Sequence, residues 1–99
     1  MKYYLIGIKG TGMSTLAQIL HDLGNEVMGY DDARDYKFTQ KGLDERGIVI
    51  HYDHDFDLDK DMIVSRSVAV SDDHEEIKRV KELGFTITRY DEIMGDLTR

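Results

Sequence analysis

Gly7-Ile8-Lys9-Gly10-Thr11-Gly12-Met13-Ser14 holds the residues of this chain best suited to chemistry. Three glycines between positions 7 and 12, with Thr11 and Ser14 beside them, suit a backbone turn that wraps a phosphate. Backbone N–H groups and the positive end of a helix dipole do the holding in such a turn. The spacing also excludes. A dinucleotide fingerprint puts glycine at its first, third and sixth positions, here 7, 9 and 12, and position 9 is Lys. The replaced glycine is the one that lets backbone approach a pyrophosphate, so an ordinary NAD site is disfavoured. A P-loop is missing too, because Met13-Ser14 stands where Lys and Ser or Thr should follow Gly12. Unaided ATP hydrolysis is not expected. Lys9 either approaches the phosphates or points to solvent.

Asp31 stands 24 residues after Gly7, at the end of a second apolar segment. Doubly wound folds use an acid there to accept hydrogen bonds from a ribose or a base. Asp32 is an equal claimant on position, and an Asx-turn accounts for either acid without a ligand. The run Asp53-His54-Asp55-Phe56-Asp57-Leu58-Asp59-Lys60-Asp61 has the look of a calcium loop. An EF-hand starting at Asp55 needs Gly at 60 and Glu at 66, where Lys60 and Arg66 stand; starting at Asp53 it meets Leu58 and Val64. A solvated acidic connection is the better reading. His54 keeps functional interest because it follows a strand end, as does Ser65-Arg66-Ser67-Val68. No helix carries His-x-x-x-His and no cysteine is present, so no metal site is expected.

These residues need strands and helices to hold them, and the chain alternates the two. Strands are expected over 3–8, 26–30, 48–50, 62–64 and 85–88. Helices are expected over 12–23, near 36–46 with Leu43, Phe38 and Tyr36 inward, after a Ser or Asp cap in 71–73, and over 90–97. The third helix should turn Ile77, Val80 and Leu83 inward and stop at Gly84. Alternation of this kind implies right-handed βαβ units: one Rossmann-like three-layer α/β domain over 1–99, with a mostly parallel five-stranded sheet.

Composition narrows the partners. Twenty acids against 13 Lys and Arg give a net charge of −7 with no basic stripe, so nucleic acid and anionic membranes are poor partners. The longest apolar runs fall far short of the ~18 residues of a membrane span. Met1-Lys2 leads straight into the first strand, which leaves no room for a signal peptide and makes a cytoplasmic location the expectation.

Linked blocks of sequence bear a family likeness. Ile6 to Ser14, followed by Leu16-Ala17 and Leu23-Gly24, resembles the opening of the Mur ligases, and most closely their alanine-adding branch. Val27 to Asp31, Phe38 to Leu43, Asp72 to Ile77 and Arg89 to Gly95 have counterparts there in the same order. Many members carry Gly at position 9 and Ser at position 30, where this chain has Lys and Tyr; the alanine-adding branch shares Gly-Ile-Lys-Gly. The resemblance implies an amino-terminal domain that binds the UDP part of UDP-N-acetylmuramate for peptidoglycan synthesis. It implies that Lys9, Gly10, Thr11, Gly12, Met13 and Ser14 surround the diphosphate, with Asp31 by the uridine, His54 bordering the uracil and Ser67 near the nucleotide. It implies no catalytic residue and no bound cofactor here: ATP and Mg2+ would serve the full-length ligase through central and carboxy-terminal domains lying beyond this chain. Two other readings are a nicotinamide-nucleotide-binding regulatory domain and a non-catalytic interaction domain.

Overall fold

Tyr3, Tyr4, Leu5 and Ile6 alternate sides along the first strand yet are all buried, which makes this strand the centre of the molecule. The structure is a computed structural model and describes residues 1–97. Its elements run β1 (Lys2–Ile6), α1 (Thr11–Asp22), β2 (Glu26–Tyr30), α2 (Gln40–Glu45), β3 (Val49–His51), β4 (Ile63–Arg66), α3 (Glu75–Glu82) and α4 (Tyr90–Leu97). The sheet order is β3-β2-β1-β4 and every pairing is parallel, with Leu5 opposite Gly29 on one side and Ser65 on the other. The expected three-layer α/β domain is the observed one.

One layer packs Met13, Leu16, Ala17 and Leu20 of α1, Leu43 of α2 and Ile93 of α4 against Tyr3 and Leu5. The opposite layer packs Ile77 and Val80 of α3 against Tyr4, Ile6, Tyr30 and Val64. The acidic run crosses this second face between β3 and β4. Its residues alternate: Asp53, Asp55, Asp57 and Asp59 are exposed, whereas Phe56 and Leu58 pack on the core. That two-residue period explains why the carboxylates form no loop around a cation. Among the described residues no acid and histidine group has a metal-holding arrangement, and no helix is long and apolar enough to cross a membrane.

Several expectations change, among them the cap of α3, which is His74 rather than a Ser or Asp in 71–73. The fifth strand over 85–88 shrinks to one parallel bridge, Val64 to Ile87, with the Thr88 N–H donating to the Val64 carbonyl at 2.7 Å. Only two residues separate that bridge from α4, so pairing has no room to propagate. The second helix begins at Gln40 rather than near 36, leaving Tyr36 62% and Phe38 84% exposed instead of inward. Leu83 caps α3 and is exposed rather than buried. Close approach between layers is set by Gly29, where an added Cβ would fall 2.4 Å from Ile8 Cδ1 and 2.7 Å from the Leu5 carbonyl.

Candidate functional site

Strand order reverses beside β1, with β2 and α1 on one hand and β4 and α3 on the other. Open α/β sheets bind ligands at the carboxyl ends of their strands at such a point. A cleft of about 670 Å³ opens there, walled by the 7–11 turn, Tyr30 to Asp32, the 35–39 loop and the segment from Ser67 to His74. Gly7 lies at φ +81°, and a Cβ on it would stand 2.9 Å from Ser67 Cβ and 3.0 Å from Val70 Cγ2. Only glycine satisfies both the backbone and the space. The Gly7 and Ile8 N–H groups donate to the Tyr30 carbonyl at 2.7 and 3.1 Å, which ties the turn to the end of β2.

Gly10 caps α1 without any side-chain hydrogen bond, and the first turn of the helix contains no acid. Helix geometry leaves the N–H groups of Thr11, Gly12 and Met13 without intrahelical acceptors. They sit at the positive end of the helix dipole, and Thr11 among them lines the cleft. This is an anion-binding arrangement made of backbone.

Lys9 takes neither of the two courses expected for it. It is only 2% exposed, and its ammonium donates to the Ala33 carbonyl at 2.6 Å and the Asp35 carbonyl at 3.1 Å. The same ammonium lies 4.6 Å from the centre of the Tyr52 ring. The Lys9 N–H donates to Asp31 Oδ2 at 2.9 Å, and its carbonyl accepts from Thr39 Oγ1 at 2.7 Å. Every polar group of Lys9 is thus spent on the 31–39 loop. That loop cannot join α2 while its carbonyls point at the ammonium, which accounts for the late helix start. Asp31 Oδ1 meanwhile accepts from the Ala33 N–H at 2.9 Å.

The facing wall is built from side chains. His74 caps α3: its Nδ1 accepts the Glu76 N–H at 3.0 Å while Nε2 lies 2.6 Å from Asp32 Oδ2. This arrangement puts the ring proton on Nε2. The Tyr30 hydroxyl donates to Asp32 Oδ1 at 2.7 Å. Burial, and then the bond to Asp32, push the Tyr30 hydroxyl well above its ordinary pKa. Burial works to raise the Asp32 carboxyl, but its bonds from His74 and Tyr30 outweigh that and hold it below its ordinary range. Behind Tyr30 lies Glu76, fully buried, bonded by Arg79 Nε at 2.6 Å, by the Tyr4 hydroxyl and by His54 Nδ1 at 2.8 Å. Burial opposes its charge, yet the bonds from Arg79, Tyr4 and His54 prevail and lower its pKa.

Of the residues singled out from sequence, Gly7, Lys9, Gly10, Thr11, Asp31, Asp32 and Ser67 line the cleft. Met13 has its side chain in the core, and Ser14 is buried with its hydroxyl donating to the Thr11 carbonyl at 3.2 Å. A Cβ on Gly12 would meet the Tyr90 ring at ordinary contact distances of 3.6–3.9 Å, so that glycine faces α4. His54 stands outside the lining, stacked on Tyr30 at 5.2 Å between ring centres. Sequence reasoning missed Tyr30, Thr39, Val70 and His74 as wall residues. Their one signal was nearness to the ends of β2 and β4.

Fold and cleft define the class: a doubly wound α/β domain with a ligand cleft at its topological switch point. The family described as "Mur ligase family, catalytic domain" matches residues 2–99, and the chain belongs to the Mur ligase family. It is 52% identical over 95 residues to a UDP-N-acetylmuramate–L-alanine ligase of Lacticaseibacillus casei, covering 96% of this chain and 22% of that protein. A UDP-N-acetylmuramate–L-alanine ligase of Ligilactobacillus salivarius is 48% identical, over 96% of this chain and 21% of its own length. The crystal structure of UDP-N-acetylmuramate-alanine ligase from Thermotoga maritima superposes with a TM-score of 0.80 at 30% identity, covering 99% of this chain and 23% of that one. A murein peptide ligase from Psychrobacter arcticus shares the fold, with a TM-score of 0.79 at 23% identity, over 97% of this chain and 20% of its own. The chain spans about a fifth of the length of these relatives.

Proposed function

We propose that this chain is the amino-terminal domain of an ATP-dependent ligase that joins L-alanine to UDP-N-acetylmuramate in peptidoglycan synthesis, and that it holds the UDP part of that substrate. One observation carries the reading: the first turn of α1, uncapped and without an acid of its own, reaches the cleft at Gly10 and Thr11, with two further unpaired backbone donors in the same turn. Identity above 40% to ligases of that name supports the choice of substrate.

The Thr11, Gly12 and Met13 N–H groups hold the diphosphate, and Gly10 gives it room. Ser67, whose Oγ accepts the Ala69 N–H at 3.2 Å, has its hydroxyl proton left to donate. Asp31 keeps lone pairs for a ribose hydroxyl beyond its two backbone bonds. Lys9, Ser14 and His54 act through others: Lys9 fixes the 31–39 loop, Ser14 trims the α1 turn and His54 backs the Tyr30 ring. The domain contributes orientation, which removes part of the entropic barrier. The groups for the chemical step would belong to the other domains of the ligase. ATP and Mg2+ would bind elsewhere in the longer polypeptide, in a cytoplasmic enzyme.

Calorimetry of the 99-residue chain with UDP, UDP-N-acetylmuramate and NAD tests this. Saturable binding of both uridine ligands, with NAD at least tenfold weaker, is the expected result. NAD binding tighter than UDP would return the nicotinamide reading, and heats indistinguishable from dilution for all three would leave an interaction domain.

A further inference from the structure

We infer that His54 and His74 make the start of α3 a proton-operated clasp, which passes the helix from one ring to the other as pH falls. The clasp belongs to the wall of the cleft, and it holds whichever ligand the cleft takes. The two rings flank Tyr30: His54 stacks on it at 5.2 Å between centres, and His74 meets it edge-on at 5.7 Å. Both are bonded to the first turn of α3, yet their bonds require different numbers of protons.

His74 works with one proton. Its Nδ1 accepts the Glu76 N–H at 3.0 Å, so that nitrogen is bare, and Nε2 carries the proton given to Asp32 at 2.6 Å. A second proton on Nδ1 would point at the Glu76 N–H and end the cap, while the bond to Asp32 would become charge-assisted. His54 works fully only with two. Its Nδ1 lies 2.8 Å from Glu76 Oε1 and its Nε2 3.1 Å from Glu75 Oε2, and both partners are carboxylates. A neutral ring can donate to one of them, and the doubly protonated ring serves both. Acid therefore frees the Glu76 N–H from His74, which stays with Asp32, and completes the grip of His54 on Glu75 and Glu76. Other charged and titratable groups face the pair from every side. Arg79 and the Tyr4 hydroxyl bind Glu76, and His51 stands within electrostatic reach of it. The Arg66–Asp72 ion pair and exposed Asp73 precede His74, exposed Lys78 follows it by a turn, and exposed Asp53 and Asp55 flank His54.

The test is a titration of the 99-residue chain without ligand, followed by NMR of the ring nitrogens from about pH 8 to about pH 5, where imidazoles change charge. At the upper end His74 should show a bare Nδ1 and a protonated Nε2. At the lower end both histidines should carry two protons. Hydrogen-exchange protection of the Glu76 amide, corrected for the intrinsic effect of pH, should fall about fivefold over the same range. His74→Asn puts in its place an oxygen that accepts the Glu76 N–H at any pH. In that variant the protection should hold steady while His54 still gains its second proton. A His74 ring that keeps a single proton throughout, or gains a second without loss of Glu76 protection, would overturn the clasp. So would a His54 ring that stays neutral at the lower end, or a His74→Asn chain whose Glu76 amide loses protection as wild type does.

Discussion

On the α1 side of the cleft the available polar groups are backbone N–H groups, and on the α3 side they are charged side chains already committed to one another. Thr11, Gly12 and Met13 offer donors that nothing in the helix accepts. Asp32, His74, Glu76, Arg79 and Tyr4 close their bonds among themselves. A wall with spare donors receives a ligand, and a wall with spent ones keeps its shape. The same contrast separates half-buried Arg79 from buried Lys9. Arg79 faces a carboxylate and serves the core, whereas Lys9 faces neutral carbonyls and shapes the mouth of the cleft.

Substitutions should divide along that line. Removing the buried carboxylate has the largest expected effect. Glu76→Ala leaves the Arg79 guanidinium without its carboxylate, with only the Phe56 carbonyl and ring for partners, and the Tyr4 hydroxyl without its acceptor. Urea unfolding should show a loss of about 3–5 kcal/mol, close to the whole stability of a marginal domain. Acid sharpens the point. The Glu76 and Asp32 carboxyls are held below their ordinary values of 4.5 and 3.8. Their contribution is complete above those values and is lost as pH falls through the lower folded-state ones. Thermal midpoints should therefore drop on acidification below about pH 4.5, and Glu76→Gln should flatten that drop.

Gly7→Ala comes next. A positive φ and a Cβ pressed against Ser67 and Val70 should together cost about 3 kcal/mol by urea unfolding, and nucleotide binding should fall with stability because the turn itself shifts. Lys9→Met should cost about 2 kcal/mol through the orphaned carbonyls of Ala33 and Asp35. Here binding should suffer more than stability, and hydrogen exchange at 33–39 should quicken while that of α3 stays as it was. A Lys9→Met chain that exchanges uniformly faster would erase the distinction between the walls. Thr39→Val removes a single bond to the Lys9 carbonyl, and a loss of about 1 kcal/mol is expected.

Much of the fold was legible because it is written in periodicity. The buried face of α1, the parallel strands and the stop at Gly24 follow from local pattern, and the family likeness adds the order of the elements. What escaped was tertiary. Tyr36 stands seven residues before Leu43, on the same face of a continuous helix, but Lys9, 27 residues earlier, holds the loop of Tyr36 and Phe38 out of the helix. Lys9 itself is a charged residue in a glycine turn, and no local rule sends its ammonium back to carbonyls. His54 was found for its place after a strand, yet that place serves Glu76 and Tyr30 rather than the lining of the cleft. Gly12 was read as part of the turn, and its open side instead receives the Tyr90 ring.

Backbone donors at the start of α1 are the proposed anion site. Its most direct test is a two-dimensional amide NMR titration of the 99-residue chain with UDP at fixed pH. The Thr11, Gly12 and Met13 amides should move most, with smaller shifts at Asp31 and Ser67 and none at Arg79 or Val80 in α3. Saturable binding that moves the α3 amides and leaves Thr11 to Met13 in place would contradict it.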